Sequence, residues 1–502
     1  MWYSPFSKWI RSILGQSGHL ARQLRPNRRR LFLEPLEDRA MLSQVFTVTN
    51  TLNAGAGSLR AQVAHAGSGD QILFAPALTG QTIKLTTGAI NINKQLTISG
   101  PGALLLTISG SESQLIFLIG TSGNVSISGL TLTDARTAGK GGAIQNNGVL
   151  TLTSDQITSN SSLAGGAVYN TGSLTISNST LSANSARTGN GGAIFNNGTL
   201  NLTASTVSTN NANSGLGGGI YNAANGSATI SNCTFAADHA RNGGALYEAV
   251  GGTMTISEST IATNSAANAG GGLHNAAGAN AIQITSTIIA DNKGLRGRDV
   301  FGAVASQGFN LVGITNGSSG WVSSDLTGTA RNPLDPLLGP LANNGGPTFT
   351  FALLPGSLAL MRGNPSGAPA TDQRGSPFQR VVNGKIDIGA FENQPIVVVA
   401  PTNVPPIQKG TPIPLGAFSE VLTVATSWSV TVAWGDGLKS QFTVSAQGSL
   451  GKMTHNYAHK GNFTITVTVT DQFGDFGQAS FPVTVVSVGH AAADVGFKTI
   501  FW

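Results

Sequence analysis

Charge, cysteine and long apolar stretches are all scarce in this chain. Only 10% of its 502 residues are Asp, Glu, Lys or Arg, and 6% are aromatic, a profile rarely seen in helical globular enzymes. The lone cysteine, Cys233, excludes an intramolecular disulfide and reads as a small core residue. No apolar run approaches the roughly 18 residues needed to span a bilayer, so no transmembrane segment is predicted. The N-terminus is basic and carries Trp2, Trp9, Ile10, Ile13 and Leu14, yet it lacks the uninterrupted apolar core of a secretory signal.

The formal charge is concentrated at the N-terminal end. Residues 1–43 hold eight Lys/Arg against Glu34, Glu37 and Asp38, so they carry +5 of the formal +6. The body is nearly neutral, which gives no electrostatic footprint for nucleic acid, and no nucleic-acid partner is expected. Low charge with abundant Gly, Ser, Thr and Asn also suits a disordered chain, but strict apolar periodicity argues against that.

What is present is a repeat. The segments GGAIQNNG, GGAVYNTG, GGAIFNNG, GGGIYNAA, GGALYEAV and GGGLHNAA begin at Gly141, Gly165, Gly191, Gly217, Gly243 and Gly270, at spacings of 24 to 27 residues. A fixed period of this size marks a solenoid whose units bury their apolar faces only by stacking. After each glycine segment come two more short runs with alternate apolar residues, such as Leu200 and Leu202, then Val207. Alternation over four or five residues with Gly/Asn/Ser punctuation predicts strands. Three strands per unit suit an all-β chain folded as a parallel β-helix.

Two polar columns keep step with the repeat. Asn146, Asn170, Asn196, Asn222, Glu248 and Asn275 follow the glycine strand, and Asn160, Asn184, Asn210, Asp238, Asn264 and Asp291 close the third run. Stacking predicts that each column forms a ladder of side-chain hydrogen bonds. His274 stands where other repeats carry Tyr or Phe and reads as an exposed face residue.

Several segments resemble known families. Residues 28–43, RRRLFLEPLEDRAMLS, resemble the LEPR-type motif of planctomycete surface and extracellular proteins, with Leu33, Glu34, Pro35, Leu36, Glu37 and Arg39 as the matching core. That resemblance implies export or surface sorting for 1–43, and an extracellular or cell-surface location. The stretch from Phe46 through Gly57-Ser58-Leu59-Arg60 is similar to the capped start of large bacterial β-helix surface proteins, which implies a short helix after the Gly-Ser-Leu-Arg residues, over the open end. The repeats resemble the polymorphic outer-membrane-protein type of right-handed β-helix, a pectin-lyase-like solenoid. Residues 332–392, with TDQRG and DIGAFE, resemble the choice-of-anchor Q domain, which implies closure of the β-helix that spans 44–395. Asp372, Arg374 and Asp387 in that stretch read as a buried salt-bridge or turn network.

A Pro-rich stretch, 396–414, reads as a linker. Residues 415–486 alternate as strands of a small β-sandwich. Trp434-Gly-Asp436-Gly437 with His455 and Tyr457 resembles the PKD family of immunoglobulin-like modules, and residues 487–502 form a tail. In the turn, Asp436 reads as a cap, with a cation site as the alternative.

The right-handed β-helix class that the resemblance implies includes polysaccharide lyases and glycoside hydrolases, whose chemistry depends on acidic side chains. One group is Asp238, His239, Arg241 and Glu248, with Glu258 nearby; another is Asp291, Arg296, Arg298 and Asp299. Acid/base pairs or Ca²⁺ with a basic residue are what such chemistry needs. The competing reading makes the acids stand-ins for ladder Asn. The chain holds no GxSxG, no HExxH, no phosphate-cradling loop and no Cys/His metal set. The expected role is adhesion or scaffolding without a cofactor, Ca²⁺ aside, through contact with extracellular polysaccharide or envelope proteins. The alternative is a polysaccharide-degrading enzyme. The sequence assigns no oligomeric state.

Overall fold

The computed structural model describes residues 43–420 and 425–487. The sorting motif at Leu33–Arg39 and the tail from 488 onward lie outside the described residues. The body is a right-handed parallel β-solenoid of about ten turns. One coil runs through four positions. The strand Val168–Asn170 belongs to a ten-stranded "asparagine" sheet, Ser173–Ser177 to an eleven-stranded "leucine" sheet, and Thr180–Ser182 to an eleven-stranded third sheet. Ser185–Ala186 then enters a five-stranded corner sheet that the three-strand reading had not included.

The register follows the repeat: Ile144 pairs with Val168, Val168 with Ile194, Ile194 with Ile220, all inward-facing. Leu174, Leu200 and Ile176, Leu202 stack likewise on the leucine sheet, and together these columns form one continuous apolar core. Glycine is required where coils meet. Gly191 takes a left-handed φ of 73°, and a Cβ on Gly192 would stand 2.0 Å from the Gly218 carbonyl oxygen of the next coil. Cys233 is fully buried in the core, where burial pushes its thiol up to about 12.

The first coil is covered by helix α1 (Leu59–His65), whose N-cap Ser58 accepts the Ala61 N–H and whose Leu59 and Val63 turn inward. The cap therefore begins inside the Gly-Ser-Leu-Arg stretch rather than after it.

Residues 332–392 begin against the last coils, where the Leu334 N–H donates to the Gly313 carbonyl at 3.0 Å. They fold back along the outer face of the third sheet. Thr206 Oγ1 donates to the Phe349 carbonyl at 2.6 Å, Thr234 Oγ1 to Gln373 Oε1 at 2.6 Å, and Thr260 Oγ1 accepts the Ala390 N–H at 3.0 Å. The outward column Thr206, Thr234, Thr260 and Ile288 is consequently buried. Ile288 and Leu311 of the solenoid share a core with Leu353, Ile388 and Phe391.

Residues 396–414 are not a free linker. Val397–Val399 pairs antiparallel with Ala417–Ser419, and Pro412–Pro414 pairs with Lys452–Thr454. Ile396, Ile407 and Ile413 join the same core as Trp428, Val430 and Trp434. Pro412 and Pro414 are compatible with this because their strand belongs to a two-stranded sheet, where one edge needs no N–H donor. The four-stranded sheet opposite is built from Trp428–Ala433, Lys439–Val444, Gly461–Asp471 and Phe476–Val485. These small sheets are consistent with a β-sandwich that begins near Ile396.

Candidate functional site

The acids singled out by sequence are placed apart by the two ladders. In the asparagine sheet, Asn146 Nδ2 donates to Asn170 Oδ1, Asn170 to Asn196 and Asn196 to Asn222, each at 2.7 Å. Asn222 then donates to both oxygens of Glu248 at 3.0 Å. The ladder is directional, since every member accepts from one coil and donates to the next. Glu248 passes no side-chain hydrogen bond on to Asn275, and the run stops there. Asn275 donates instead to the carbonyls of Gly278 and Ala303.

The second ladder runs Asn160, Asn184, Asn210 to Asp238 at 2.9–3.0 Å, then from Asn264 through Asn292 to Asp299. Asp238 is the break. Its Oδ1 accepts the Asn210 backbone and side-chain N–H groups, while Oδ2 is buried without a partner. The rung assigned to Asp291 belongs to Asn292. Asp291 occupies the preceding corner with φ 60°, a left-handed position that Asp tolerates. Glu258 likewise sits at a left-handed corner, φ 42°.

Desolvation dominates the titration of these groups. It drives Asp238 well above the usual carboxylate range and Glu248 up to about 8, against the opposing hydrogen bonds from Asn210 and Asn222. Asp299 is raised to about 6 by burial, although N–H groups of Asn292 and Ile314 oppose the shift. Asp238 and Glu248 are fully buried in separate ladders, so they do not converge on a substrate-sized cleft. His239 and Arg241 face outward on the corner sheet, where His239 Nδ1 pairs with Ser265 Oγ at 2.8 Å. Asp299 is a ladder terminus, while Arg296 and Arg298 are exposed. Among the described residues, no three His, Cys, Asp or Glu side chains form a metal-ligating group.

Two outer faces remain open. The leucine sheet presents a flat polar strip on which Thr175, Asn201, Thr229, Thr255 and Gln283 stand in register. On the asparagine sheet the outward residues are rings: Tyr169, Phe195, Tyr221, Tyr247, His274 and Phe301, with consecutive centroids 4.6–5.5 Å apart. His274 is thus a half-buried member of an aromatic stack, not a free face residue, and burial lowers its pKa. Lys140 lies over the Tyr169 ring at 4.6 Å and Arg296 over Phe301 at 5.4 Å, closing the stack with a cation at each end. At the first ring the Tyr169 hydroxyl also accepts from Lys140 Nζ at 3.0 Å. The signal was in the repeats themselves, as the residue before each ladder Asn.

Residues 114–302 match the family model described as the right-handed β-helix region. Among solved structures, the crystal structure of pectate lyase Pel9A is similar at 14% identity and a TM-score of 0.39, covering 70% of this chain and 96% of that one. No curated protein matches the chain.

Beyond the β-helix region, the TDQRG and DIGAFE residues build a buried network. Arg374 pairs with Asp372 and Asp475, both at 2.9 Å, between the rings of Phe378 and Phe391 at 3.8 and 3.9 Å. Asp387 accepts the N–H groups of Met361 and Asn393 and donates its own to Glu392. Burial, then the neighbouring Asp387, pushes Glu392 up to about 9. A pocket of about 420 Å³ with Leu360, Met361 and Phe476 in its wall adjoins these two acids. Both Asp387 carboxylate oxygens are engaged by backbone N–H groups, and the buried Arg380 lies between its carbonyl and Glu392, so the pair supports the turn.

In the C-terminal sheets, Asp436 Oδ1 caps its turn through the Leu438 N–H at 3.1 Å, and Oδ2 meets His455 Nε2 at 2.7 Å. Slight burial acts to raise Asp436, but these hydrogen bonds hold it below the usual carboxylate range. The His455 ring stacks on Trp434 at 4.7 Å, and Tyr457 Oη donates to the Trp434 carbonyl at 3.0 Å. Gly437 has a left-handed φ of 92° in this turn.

Proposed function

We propose that this chain is a surface or extracellular β-solenoid with an adhesive or scaffolding role, binding glycan or protein along its repeat faces. The observation that carries this reading is the placement of the acids. Asp238 and Glu248, the residues best suited to polysaccharide cleavage, are buried in different ladders, and what faces solvent is long, flat and regular. Weak contacts repeated coil after coil add along such a face. The alternative, a polysaccharide lyase or glycoside hydrolase, requires carboxylates that converge on a bound sugar.

Export rests on the LEPR-type segment, and the PKD-like and choice-of-anchor Q-like readings of the C-terminal part belong to the same proposal. Two assays test it. The full chain, incubated with insoluble polysaccharides and with envelope fractions, is expected to co-sediment with at least one. A chain lacking residues 1–43 is expected to remain in the cell. Failure to sediment with any of them would remove the adhesive reading, and unchanged fractionation would remove the sorting reading.

A further inference from the structure

The cover over the third sheet is incomplete, and the gap in it has a definite shape. The outward column of that sheet runs Thr131, Gln156, Thr180 and Thr206 on four successive coils. Thr206 is buried under the folded-back segment, whose Thr348 Oγ1 also donates to the Ala204 carbonyl at 3.4 Å. Thr131, at the other end, lies under a loop. Its Oγ1 donates to the Ala103 carbonyl, and the Gly102 N–H donates to the Gly129 carbonyl at 3.0 Å. Between these two covers the coils of Gln156 and Thr180 stay open.

The result is a groove of about 340 Å³ that crosses the solenoid parallel to its strands. Leu104 and Leu105 form one wall, Pro347 the other, and Ser154 and Asn178 extend the floor to the corner before the strands. Leu104 is 83% exposed, apolar surface that nothing in the fold covers. The Gln156 amide and Thr180 hydroxyl are half-buried, and among the described residues neither has a protein hydrogen-bond partner. Asp155 also touches the groove but is buried, with its two carboxylate oxygens taken by the Leu130 and Thr153 N–H groups. Where the strands end, the corner beside Ser159 carries Glu112, Asp134 and Arg136.

We propose that this groove binds a single chain of a neutral glycan, laid across the solenoid. The inference rests on the glycan-binding reading above and gives it a site apart from the open repeat faces. Two uncovered coils span about 10 Å, which admits one extended polymer chain but not an α-helix about 10–12 Å across. An extended peptide brings backbone N–H and C=O groups that need a free strand edge. The floor is instead a sheet face whose backbone groups already serve the neighbouring coils, so it offers side chains alone. Glycan hydroxyls match the free amide and hydroxyl of the floor, and sugar C–H faces match the leucine and proline walls. Two acids against one arginine at the corner disfavour a polyanion.

The test is affinity electrophoresis of the full chain through gels containing hydroxyethyl cellulose, soluble β-glucan, dextran or polygalacturonate, at two salt concentrations. At least one neutral polymer is expected to retard the chain equally at both, and polygalacturonate to leave it unretarded. The decisive variant is Gln156→Ala with Thr180→Ala, which removes both free groups from the floor; Leu104→Ser strips a wall. Each should keep the parent's thermal midpoint while affinity for the neutral polymer falls about tenfold. A control on the leucine sheet, Thr229→Ala with Thr255→Ala, should bind like the parent. Unchanged affinity in the groove variants, or equal retardation by polygalacturonate, would overturn this inference while leaving the adhesive reading intact. Retention by envelope protein alone would do the same; no retention by any polymer or envelope fraction would overturn both.

Discussion

Arg374 Nη1 donates to Asp475 Oδ2 at 2.9 Å although 101 residues separate them. The guanidinium also holds Asp372, and two phenyl rings exclude water from both its faces. This side chain helps join the segment lying along the third sheet to the turn between the last two strands of the C-terminal sheets, alongside the Phe378–Phe473 ring contact and the Gln394 N–H on Asp475 Oδ1. Breaking a buried pair leaves an uncompensated charge, at a cost of about 3–5 kcal/mol. Asp475→Ala is therefore expected to lower the urea midpoint sharply, and Arg374→Lys to rescue little, because Lys cannot fork to two carboxylates. A loss under about 1 kcal/mol would show that the joint is held elsewhere.

The two acidic rungs predict an unusual pH profile. Asp238 and Glu248 both titrate higher in the fold than the 3.8 and 4.5 of the free groups, and Asp155 and Asp475 are each raised to about 7 by burial. Between those ordinary values and the raised ones the folded chain holds more protons than the unfolded chain. Stability must then fall as pH rises from about 4.5 to about 8. Thermal melts across this range should show the decline. Asp238→Asn and Glu248→Gln, which restore a donor to each ladder, should flatten it and raise the midpoint at pH 8. A flat wild-type profile would contradict the buried placement of these acids.

Asn196 tests the ladder away from any acid. Its Nδ2 serves Asn222 and the Gly198 carbonyl, and its Oδ1 accepts from Asn170. Asn196→Ala orphans those partners at about 1–3 kcal/mol each, so a loss of about 3 kcal/mol is expected by chemical denaturation. Serine, too short to span two coils, should fare no better.

Tyr221 stands mid-stack, 5.0 Å from Phe195 and 5.5 Å from Tyr247. Tyr221→Ala removes two ring contacts and is expected to cost about 1–3 kcal/mol. Tyr221→Phe should be nearly neutral, because stacking and not the hydroxyl supplies the contact. If the alanine variant melts like the parent, the stack is ornamental to stability.

Repetition made the solenoid readable, because a period of about 26 residues with inward Ile, Leu and Val fixes coil, register and core together. The first polar column was readable for the same reason. The second slipped by one residue at its end, where extra residues before Ile282 offset Asn292 from the glycine count and left Asp291 looking like a rung. The corner sheet escaped notice because its inward residues are alanines such as Ala212 and Ala240, too small to register as an apolar run. Nothing local announces that Phe349 meets Thr206 or that Arg374 meets Asp475. Those contacts join residues more than a hundred positions apart and depend on the shape of the finished solenoid. The prolines of 396–414 suggested a linker, yet short edge strands accommodate them.

The most direct measurement is a product assay on the full chain, with and without Ca²⁺, against neutral and acidic polysaccharides, reading both new reducing ends and unsaturated uronates. Asp238→Ala and Asp291→Ala run alongside. The placement of Asp238 inside a ladder predicts no cleavage by the parent, with polymer retention unaffected by Asp291→Ala. Cleavage that vanishes in either variant would contradict the account and make this a carbohydrate-active enzyme.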